Sequence, residues 1–265
     1  TVHATPAVVM AALAARGTRT PPHTTVVTDF VAHSQWIAHG VDRYCVAADE
    51  VKHEFIARGI PPARVVVTGV PVRVEFEAPV DPAEARAAFG LSTRLPVVVA
   101  MAGAQGGLGR LPEAVQALSR VRLPLQALVV AGLDRRLETD LRERTAGSTI
   151  RTLGYVADIR RLMAAADLVV TKAGGMTLAE ALAAEVPLVI FGSLPGQERR
   201  NERFASQSGI ALVARSRDDL RQAVERALGN PALLQRLRRQ MRRLRRPGAS
   251  QRVVSAVLER EEIAP

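Results

Sequence analysis

The amino-acid sequence predicts an α/β protein built from two doubly wound, Rossmann-like domains, the amino-terminal one incomplete. Short strand patterns rich in Val, Ile and Leu alternate with Ala/Leu/Arg-rich helix patterns along the 265 residues. Near-continuous apolar strands separated by helices are typical of a parallel sheet covered on both faces. A proline-rich break divides the series in two, which predicts two domains rather than one.

The first series is short. An apolar helix pattern opens the chain, a second lies at 49–59, and strand patterns occupy 24–30, 43–47 and 64–70. Two or three strands are too few for a complete doubly wound domain. Because the chain also opens on Thr1 rather than Met, we expect residues 1–78 to be part of an amino-terminal domain whose beginning is missing.

A linker is predicted at 79–93. Three prolines in "EAPVDPAEARAAFGLSTRLP" (77–96) bracket a short helix pattern that ends at Gly90. The series that follows is fuller, with strand patterns at 95–103, 125–132, 148–154, 167–175 and 186–192. Helix patterns such as 109–121 and 156–166 lie between them. Residues 94–245 are therefore predicted to form a complete doubly wound domain.

Composition narrows the function classes. The net charge is +10, carried by 34 arginines and two lysines. Aromatic residues make up only 3% and do not interleave with the basic ones, which argues against nucleic-acid binding. No apolar run is long enough to span a bilayer, and the start of the chain lacks a signal-peptide pattern. With Cys45 as the single cysteine, these points favour a cytoplasmic protein.

The densest basic segment is "LLQRLRRQMRRLRRPG" (Leu233–Gly248). An arginine-rich helix is usually a solvated surface. Arginine clustered beside Leu and Met would also suit attraction to the anionic headgroups of a membrane. Both interpretations stay open from the sequence.

Three turns follow predicted strands, and in open parallel sheets ligands bind beyond the carboxyl ends of the strands. The first turn, "MAGAQGGLGR" (101–110), contains Gly106, Gly107 and Gly109. It matches neither G-x-G-x-x-G nor the P-loop pattern. Tight turning would explain it as well as ligand binding would.

The second turn lies in "LVVTKAGGMTLAEAL" (168–182). Gly174 and Gly175 would let a ligand approach the backbone, and a helix beginning near Thr177 would direct free N–H groups at a phosphate. Lys172 would add a positive charge. Alternatively, Thr177 and Glu180 form a capping box that needs no ligand, or Glu180 accepts hydrogen bonds from ribose hydroxyls.

The third turn lies in "FGSLPGQERRNERFA" (191–205). Gln197, Glu198 and Asn201 offer donors and acceptors suited to sugar hydroxyls. A solvated helix start is the alternative. Three such turns on successive strands favour a shared ligand cleft.

The spacing K-x-G-G-x-T-x-x-E-A (172–181) followed by P-G-Q-E-x-x-N (195–201) resembles the monogalactosyldiacylglycerol synthase and processive diacylglycerol glycosyltransferase family. That family is related to the peptidoglycan N-acetylglucosaminyltransferase. The resemblance covers residues 1 to about 215 and implies a GT-B fold. It implies inverting transfer of a hexose from a UDP-sugar to a lipid acceptor such as diacylglycerol, by a peripheral protein at the inner face of the cell membrane.

The resemblance also implies a role for each turn. Gly174, Gly175, Met176 and Thr177 would hold the diphosphate, with Gly106, Gly107 and Gly109 facing it, while Glu180 would bind the ribose. Tyr155 and Val156 would lie beside the uracil, and Gln197, Glu198 and Asn201 would read the sugar. Because the chain has no D-x-D sequence, neither a metal nor any other cofactor is indicated. The last helix pattern, in the segment 246–265, is expected to pack back on the amino-terminal domain.

One departure from the family is large. Its glycine-rich loop with a histidine, which is linked to the general base, has no counterpart in this chain. Asp29 and His33 are the remaining candidates for the base, with His39 nearby. A non-catalytic or split UDP-sugar-binding subunit that needs a separate acceptor-domain partner chain is therefore an alternative. A UDP-sugar 2-epimerase is another, although "PGQERRN" argues against it.

Overall fold

The structure is a computed structural model that describes residues 1–38, 40–103 and 110–258. The chain divides into two compact units. Unit 1 consists of Thr1–Arg73 together with Arg245–Pro265, and unit 2 is Val74–Leu244. The carboxy-terminal segment therefore belongs to the same unit as the amino-terminal one.

Unit 1 contains a parallel sheet of three strands in the order β1-β2-β3. The strands are β1 (Thr24–Val26), β2 (Arg43–Val46) and β3 (Val65–Val67), each within a predicted strand. The helices are α1 (Ala4–Ala15), α2 (Asp49–Ala57) and α11 (Ala249–Leu258), with 3₁₀ turns at Ser34–Trp36 and Pro62–Arg64.

Helix α11 packs on the sheet of unit 1. Ala256 on α11 joins Val26 and Cys45 in one buried apolar cluster. Arg43 Nη1 donates to the Ala256 carbonyl, and Arg252 Nε donates to the Thr68 carbonyl over 3.0 Å. Burial raises the pKa of the Cys45 thiol because the thiolate would lose its hydration.

Unit 2 contains six parallel strands in the order β6-β5-β4-β7-β8-β9. In chain order they are β4 (Val97–Met101), β5 (Gln126–Val130), β6 (Ile150–Leu153), β7 (Leu168–Thr171), β8 (Leu188–Phe191) and β9 (Ala211–Ala214). This is the 3-2-1-4-5-6 order of the doubly wound fold. The winding reverses between β4 and β7, so a ligand-binding crevice is expected there.

Eight helices and one 3₁₀ turn surround this sheet within the described part of unit 2. The helices are α3 (Pro82–Ala88), α4 (Leu111–Leu118), α5 (Arg135–Thr145), α6 (Ile159–Ala165), α7 (Gly175–Ala184), α8 (Gln197–Gln207), α9 (Arg217–Leu228) and α10 (Pro231–Leu244). The 3₁₀ turn is Val74–Phe76. Every residue of β4, β7 and β8 is buried, as expected for central strands covered on both faces.

The predicted linker at 79–93 lies inside unit 2 and contains α3. Arg86 on this helix donates through Nη2 to Asp167 Oδ2 over 2.6 Å and through Nε to the Ala165 carbonyl over 3.0 Å. These bonds fix α3 against α6 and the start of β7. Pro82 of this segment is the first residue of the packed helix α3.

The apolar residues of the basic segment are used for packing. Leu233, Leu237 and Met241 on α10 are buried in unit 2, and Arg242 pairs with Glu185 over 2.6 Å. These apolar side chains are therefore used for packing, and the attraction of the arginines to anionic headgroups stays a prediction. Among the described helices, none is long and apolar enough to cross a bilayer.

Candidate functional site

The switch point of unit 2 brings two predicted turns together. Met101 at the end of β4 pairs with Thr171 at the end of β7, so the turns that follow both strands begin side by side. A Cβ atom at Gly103 would lie 3.8 Å from Lys172 Cε. The turn after β4 therefore contacts the turn after β7. Gly106, Gly107 and Gly109 lie outside the described residues.

Helix α7 begins at Gly175, with Gly174 as an N-cap that has extended backbone and no side-chain cap. The first backbone bond into the helix runs from the Leu178 N–H to the Gly174 carbonyl over 3.0 Å. The N–H groups of the three preceding helical residues therefore point out of the helix start. The capping-box interpretation of Thr177 and Glu180 is wrong, because Thr177 lies inside the first turn.

Two further side chains occupy the beginning of α7. Met176 is 42% exposed. Glu180 is half-buried and lies three residues after Thr177, which places the two on the same side of the helix. Glu180 thus lies one turn from the free N–H groups.

An ion pair joins the turn after β7 to the start of α8. Lys172 Nζ donates to Glu198 Oε1 over 2.5 Å, and the Leu194 N–H donates to Glu198 Oε2 over 2.8 Å. Only 19% and 15% of the Lys172 and Glu198 side chains are exposed. Both oxygens of Glu198 are thereby held in place. Gln197, the first residue of α8, is half-buried beside it.

Asn201 lies behind the turn rather than on its surface. Its side chain is buried, and Nδ2 donates to the Ala173 carbonyl over 3.2 Å. The Ala173 N–H donates in turn to Ser193 Oγ over 3.4 Å. The structure therefore places Asn201 where it fixes the Lys172–Gly174 backbone, a role that the sequence did not indicate.

Arg110 is a residue of this edge that sequence reasoning missed. Its guanidinium carbon lies 4.4 Å from the centre of the Phe191 ring, at the end of β8, a cation–π distance. Nη1 donates to the Arg215 carbonyl over 2.9 Å and Nη2 to Glu113. The bond from Arg110 lowers the pKa of the Glu113 carboxyl. The signal was an arginine directly between a glycine-rich turn and a helix.

Positive charge at this edge comes from side chains and a helix terminus. Lys172 follows β7 and pairs with Glu198, and Arg110 precedes α4 and pairs with Glu113. The N-terminus of α7 adds the positive end of its dipole. Within the ranges that the structure describes, no group of three His, Cys, Asp or Glu side chains is arranged to hold a metal ion.

Tyr155 and Val156 lie farther along the same edge. Tyr155 follows β6, is 59% exposed, and lines a groove of about 390 Å³ together with Gly132 and Leu133, which follow β5. Val156 is half-buried. Strands β6 and β7 are three positions apart, or roughly 14 Å at the usual strand spacing. An extended nucleoside diphosphate covers such a distance.

The two candidate bases in unit 1 each have a structural hydrogen bond. Trp36 Nε1 donates to Asp29 Oδ2 over 2.9 Å, and Asp29 is buried. The Gln35 N–H donates to His33 Nδ1 over 3.2 Å. Since a backbone N–H can only donate, neutral His33 carries its proton on Nε2. His39 lies outside the described residues.

Comparison with known sequences finds a matching protein family for each unit. The family described as glycosyl transferases group 1 matches residues 86–244, and monogalactosyldiacylglycerol (MGDG) synthase matches residues 1–72. The processive diacylglycerol beta-glucosyltransferase of Bacillus pumilus (strain SAFR-032) is 34% identical over 244 residues. The match covers 91% of this chain and 63% of that protein. The chain therefore spans less than two thirds of this relative's length.

Solved structures support the fold. MurG from Acinetobacter baumannii superposes with a TM-score of 0.68 at 21% identity, over 94% of this chain and 69% of that one. S. aureus MnaA, in its co-structure with UDP, superposes with a TM-score of 0.69 at 14% sequence identity. That match covers 96% of this chain and 72% of the MnaA chain. The predicted α/β fold of GT-B type and the resemblance to diacylglycerol glycosyltransferases are both confirmed. With more than half of its residues matched by one family, the chain belongs to the group 1 glycosyl transferases.

Proposed function

We propose that the chain is part of an inverting hexosyltransferase that moves a hexose from a UDP-sugar to a lipid acceptor such as diacylglycerol. The name of the Bacillus pumilus relative supports the lipid acceptor, and the UDP bound to MnaA supports the donor. The observation that carries the proposal is the uncapped start of α7 beside Lys172 at the switch point.

The diphosphate is proposed to bind at this helix start. The N–H groups of Gly175, Met176 and Thr177 donate to its oxygens, and the helix dipole favours its negative charge. Gly174, which has no side chain, admits the phosphates to the backbone. Lys172 lies close enough to add its charge. These fixed donors would stabilise the UDP that leaves in the transition state.

The rest of the donor is proposed to extend along the carboxyl edge of the sheet in both directions. Glu180 accepts from the ribose hydroxyls, and Tyr155 and Val156 border the uracil across β4, β5 and β6. The hexose lies toward α8, where Gln197 and Glu198 bind its hydroxyls. Asn201 supports this arrangement from behind by fixing the Ala173 carbonyl.

The proposed reaction is a single displacement. The acceptor hydroxyl oxygen bonds to the anomeric carbon and gives its proton to a general base, while the bond from that carbon to the UDP oxygen breaks and UDP leaves, which inverts the configuration. The β-linkage in the name of the relative is the result expected from an α-linked donor. We assign no general base to Asp29 or His33, because Asp29 holds the Trp36 indole and His33 Nδ1 accepts from Gln35.

The proposed membrane contact of unit 1 is α1. Val8, Val9 and Leu13 on this helix are exposed, Val9 by 52%. Arg16 and Arg19 follow them, and residues 1–28 include no acidic residue. An apolar helix face next to arginines suits the surface of an anionic bilayer. This proposal puts the protein at the inner face of the cell membrane.

Calorimetry with UDP tests the donor site. We expect Glu180→Ala to weaken UDP binding at least about tenfold, or ~1.4 kcal/mol, because the ribose loses its acceptor. Glu185→Gln at the far end of α7 is the matched control and should bind UDP as the unaltered protein does. Equal binding by Glu180→Ala, or no binding of UDP at all, would contradict the donor site.

A transfer assay separates the enzyme from the alternative. The protein is mixed with UDP-glucose or UDP-galactose and vesicles that contain diacylglycerol, and glycolipid is measured. Formation of glycolipid supports the transferase. UDP binding without transfer would favour the split subunit that needs an acceptor-domain partner chain.

A further inference from the structure

A groove of about 850 Å³ lies on unit 2 at the opposite border of the sheet from β6. It is bounded by the end of α8, strand β9, and helices α9 and α10. None of the residues in the donor site lines it. Its walls carry Ser206, Ser208, Asp219, Gln222, Arg226 and Arg236.

The groove runs along the backbone of the outermost strand. Ala211, Leu212 and Val213 are consecutive residues of β9, and all three line it. Since side chains alternate between the faces of a sheet, consecutive lining residues indicate that the groove follows the strand edge. In the described part of the chain β9 pairs with β8 alone. Its other edge therefore presents N–H and C=O groups that no strand uses.

Two arginines on separate helices line this groove. Arg226 on α9 and Arg236 on α10 both line the groove, and neither forms an ion pair with any residue that the structure describes. On the same helices, Arg221 pairs with Glu225 over 2.7 Å and Arg242 with Glu185 over 2.6 Å. The groove thus has positive charge that the fold itself does not neutralise.

Asp219 is the one acidic side chain in the lining, and its charge is already engaged. Oδ2 accepts from the N–H groups of Arg215 and Ser216, and these bonds lower the pKa of the carboxyl. Gln240 stands one helical turn after Arg236 and packs near Gly209. Apolar Leu212, Ala223 and Leu237 form the floor.

From this arrangement we infer that the groove binds an extended acidic peptide segment of a partner protein, which adds a strand to the edge of β9. The backbone of the segment would pair with β9, its carboxylates with Arg226 and Arg236, and its alternate apolar side chains with the floor. Strand β9 has four residues, so a segment of about that length pairs with it. The inference does not depend on sugar transfer.

The test uses a fluorescently labelled probe, Ac-Glu-Val-Glu-Val-Glu-NH2, and measures anisotropy with the full chain at low ionic strength. We expect saturable binding that Arg226→Glu with Arg236→Glu weakens at least about tenfold. Arg239→Glu, an exposed position on α10 outside the groove, should leave binding unchanged. Circular dichroism of each variant checks that the fold is kept.

A second probe isolates the backbone pairing. Ac-Glu-Val-(N-methyl-Glu)-Val-Glu-NH2 keeps all three carboxylates and both valines but lacks the central backbone N–H, so it cannot donate there to a neighbouring strand. We expect it to bind at least about fivefold more weakly than the first probe. Equal binding of the two probes, an equal loss with Arg239→Glu, or no binding of the first probe would overturn the inference.

Discussion

Lys172 Nζ lies 2.5 Å from Glu198 Oε1, so an ion pair joins the turn after β7 to the first turn of α8. The sequence separates these residues by 26 positions, and the parallel pairing of β7 with β8 brings them together. In the proposed site the lysine lies toward the diphosphate and the carboxylate toward the hexose. The pair therefore offers a way to separate recognition of the two halves of the donor.

We predict that substitutions of Lys172 and Glu198 affect different parts of donor binding. Lys172→Met should weaken binding of UDP about tenfold, because a positive charge near the diphosphate is lost. Glu198→Gln should keep UDP affinity within about threefold but reduce the advantage of UDP-hexose over UDP. Calorimetry with both ligands measures the difference. Equal losses for UDP in the two variants would contradict the division of roles.

Asn201→Ala should destabilise unit 2 by about 1–3 kcal/mol, since the buried Ala173 carbonyl loses its hydrogen bond. The same variant should also weaken UDP binding, because the turn before α7 is no longer fixed. Arg200→Ala, exposed on the same helix, is the control and should change stability by less than about 0.5 kcal/mol. Urea unfolding measures the stability of both variants. An Asn201→Ala protein as stable as Arg200→Ala would refute the supporting role of Asn201.

Cys45 should resist alkylation in the folded protein, since it is buried and its thiol pKa is raised by that burial. Ala256→Asp, which places a charge in the cluster with Cys45 and Val26, should release α11 and increase the labelling rate at least about tenfold. Ser255→Asp on the exposed side of α11 should not. Labelling with a thiol reagent at pH 7 gives the rates, and equal rates would show that α11 does not protect the thiol.

The Cys45 thiol also predicts a direction for stability at high pH. Its folded-state pKa lies above the unfolded value of about 8.5, so the unfolded chain loses its proton first. The contribution of this thiol to the free energy of unfolding is fully present below the unfolded-state pKa. It is lost as the pH rises through the folded-state pKa. Cys45→Ser should therefore show a smaller fall in stability between neutral and alkaline pH.

Asp219 predicts the reverse behaviour at low pH. It caps α9 together with Ser216, and bonds from the backbone N–H groups of Arg215 and Ser216 lower the pKa of its carboxyl. Its stabilising effect is present above the unfolded value of about 3.9 and disappears as pH falls through the folded value. The difference in urea midpoint between Asp219→Asn and the unaltered protein should shrink on acidification. A constant difference would refute this.

Alanine substitutions at two glycines separate the cost of contact with the carboxy-terminal segment from the cost of backbone strain. Gly69 and Gly59 both have positive φ, at +81° and +88°. A Cβ at Gly69 would lie 2.6 Å from Arg246 Cβ, whereas one at Gly59 meets nothing within 4 Å. Gly59→Ala should cost about 1–2 kcal/mol from strain alone. Gly69→Ala should cost at least about 1 kcal/mol more, measured by urea unfolding; equal costs would contradict the close contact.

Sequence patterns predicted eight of the nine described strands, because buried parallel strands are nearly continuous runs of Val, Ile and Leu. Strand β9, "ALVA", was missed because it follows a polar helix without a long apolar run. The start of α7 was placed at Thr177 because Ser and Thr are preferred N-caps. Gly174 occupies that position instead, which removes the side-chain cap and leaves the N–H groups available.

The partners of the site residues could not be read from the sequence. Two contacts form only because β7 and β8 are neighbours: Lys172 with Glu198, and Asn201 with Ala173. Local sequence pattern does not specify the order of strands in a sheet. Polar residue types indicated a sugar site at Asn201, which stays a prediction, whereas its burial and its bond to the Ala173 carbonyl give it a supporting position. The contact of Arg110 with Phe191 could be predicted only from the strand order, in which β4 and β8 lie on either side of β7.

The return of α11 to unit 1 makes the two units unequal in how they can be produced. Unit 2 is one uninterrupted stretch of chain, whereas unit 1 is assembled from two separate stretches. On a ribosome, all of unit 2 is synthesised before the last helix of unit 1 exists. A gene fragment for Val74–Leu244 therefore encodes every residue of its unit. The two stretches that unit 1 takes from this chain become continuous only in a rearranged gene.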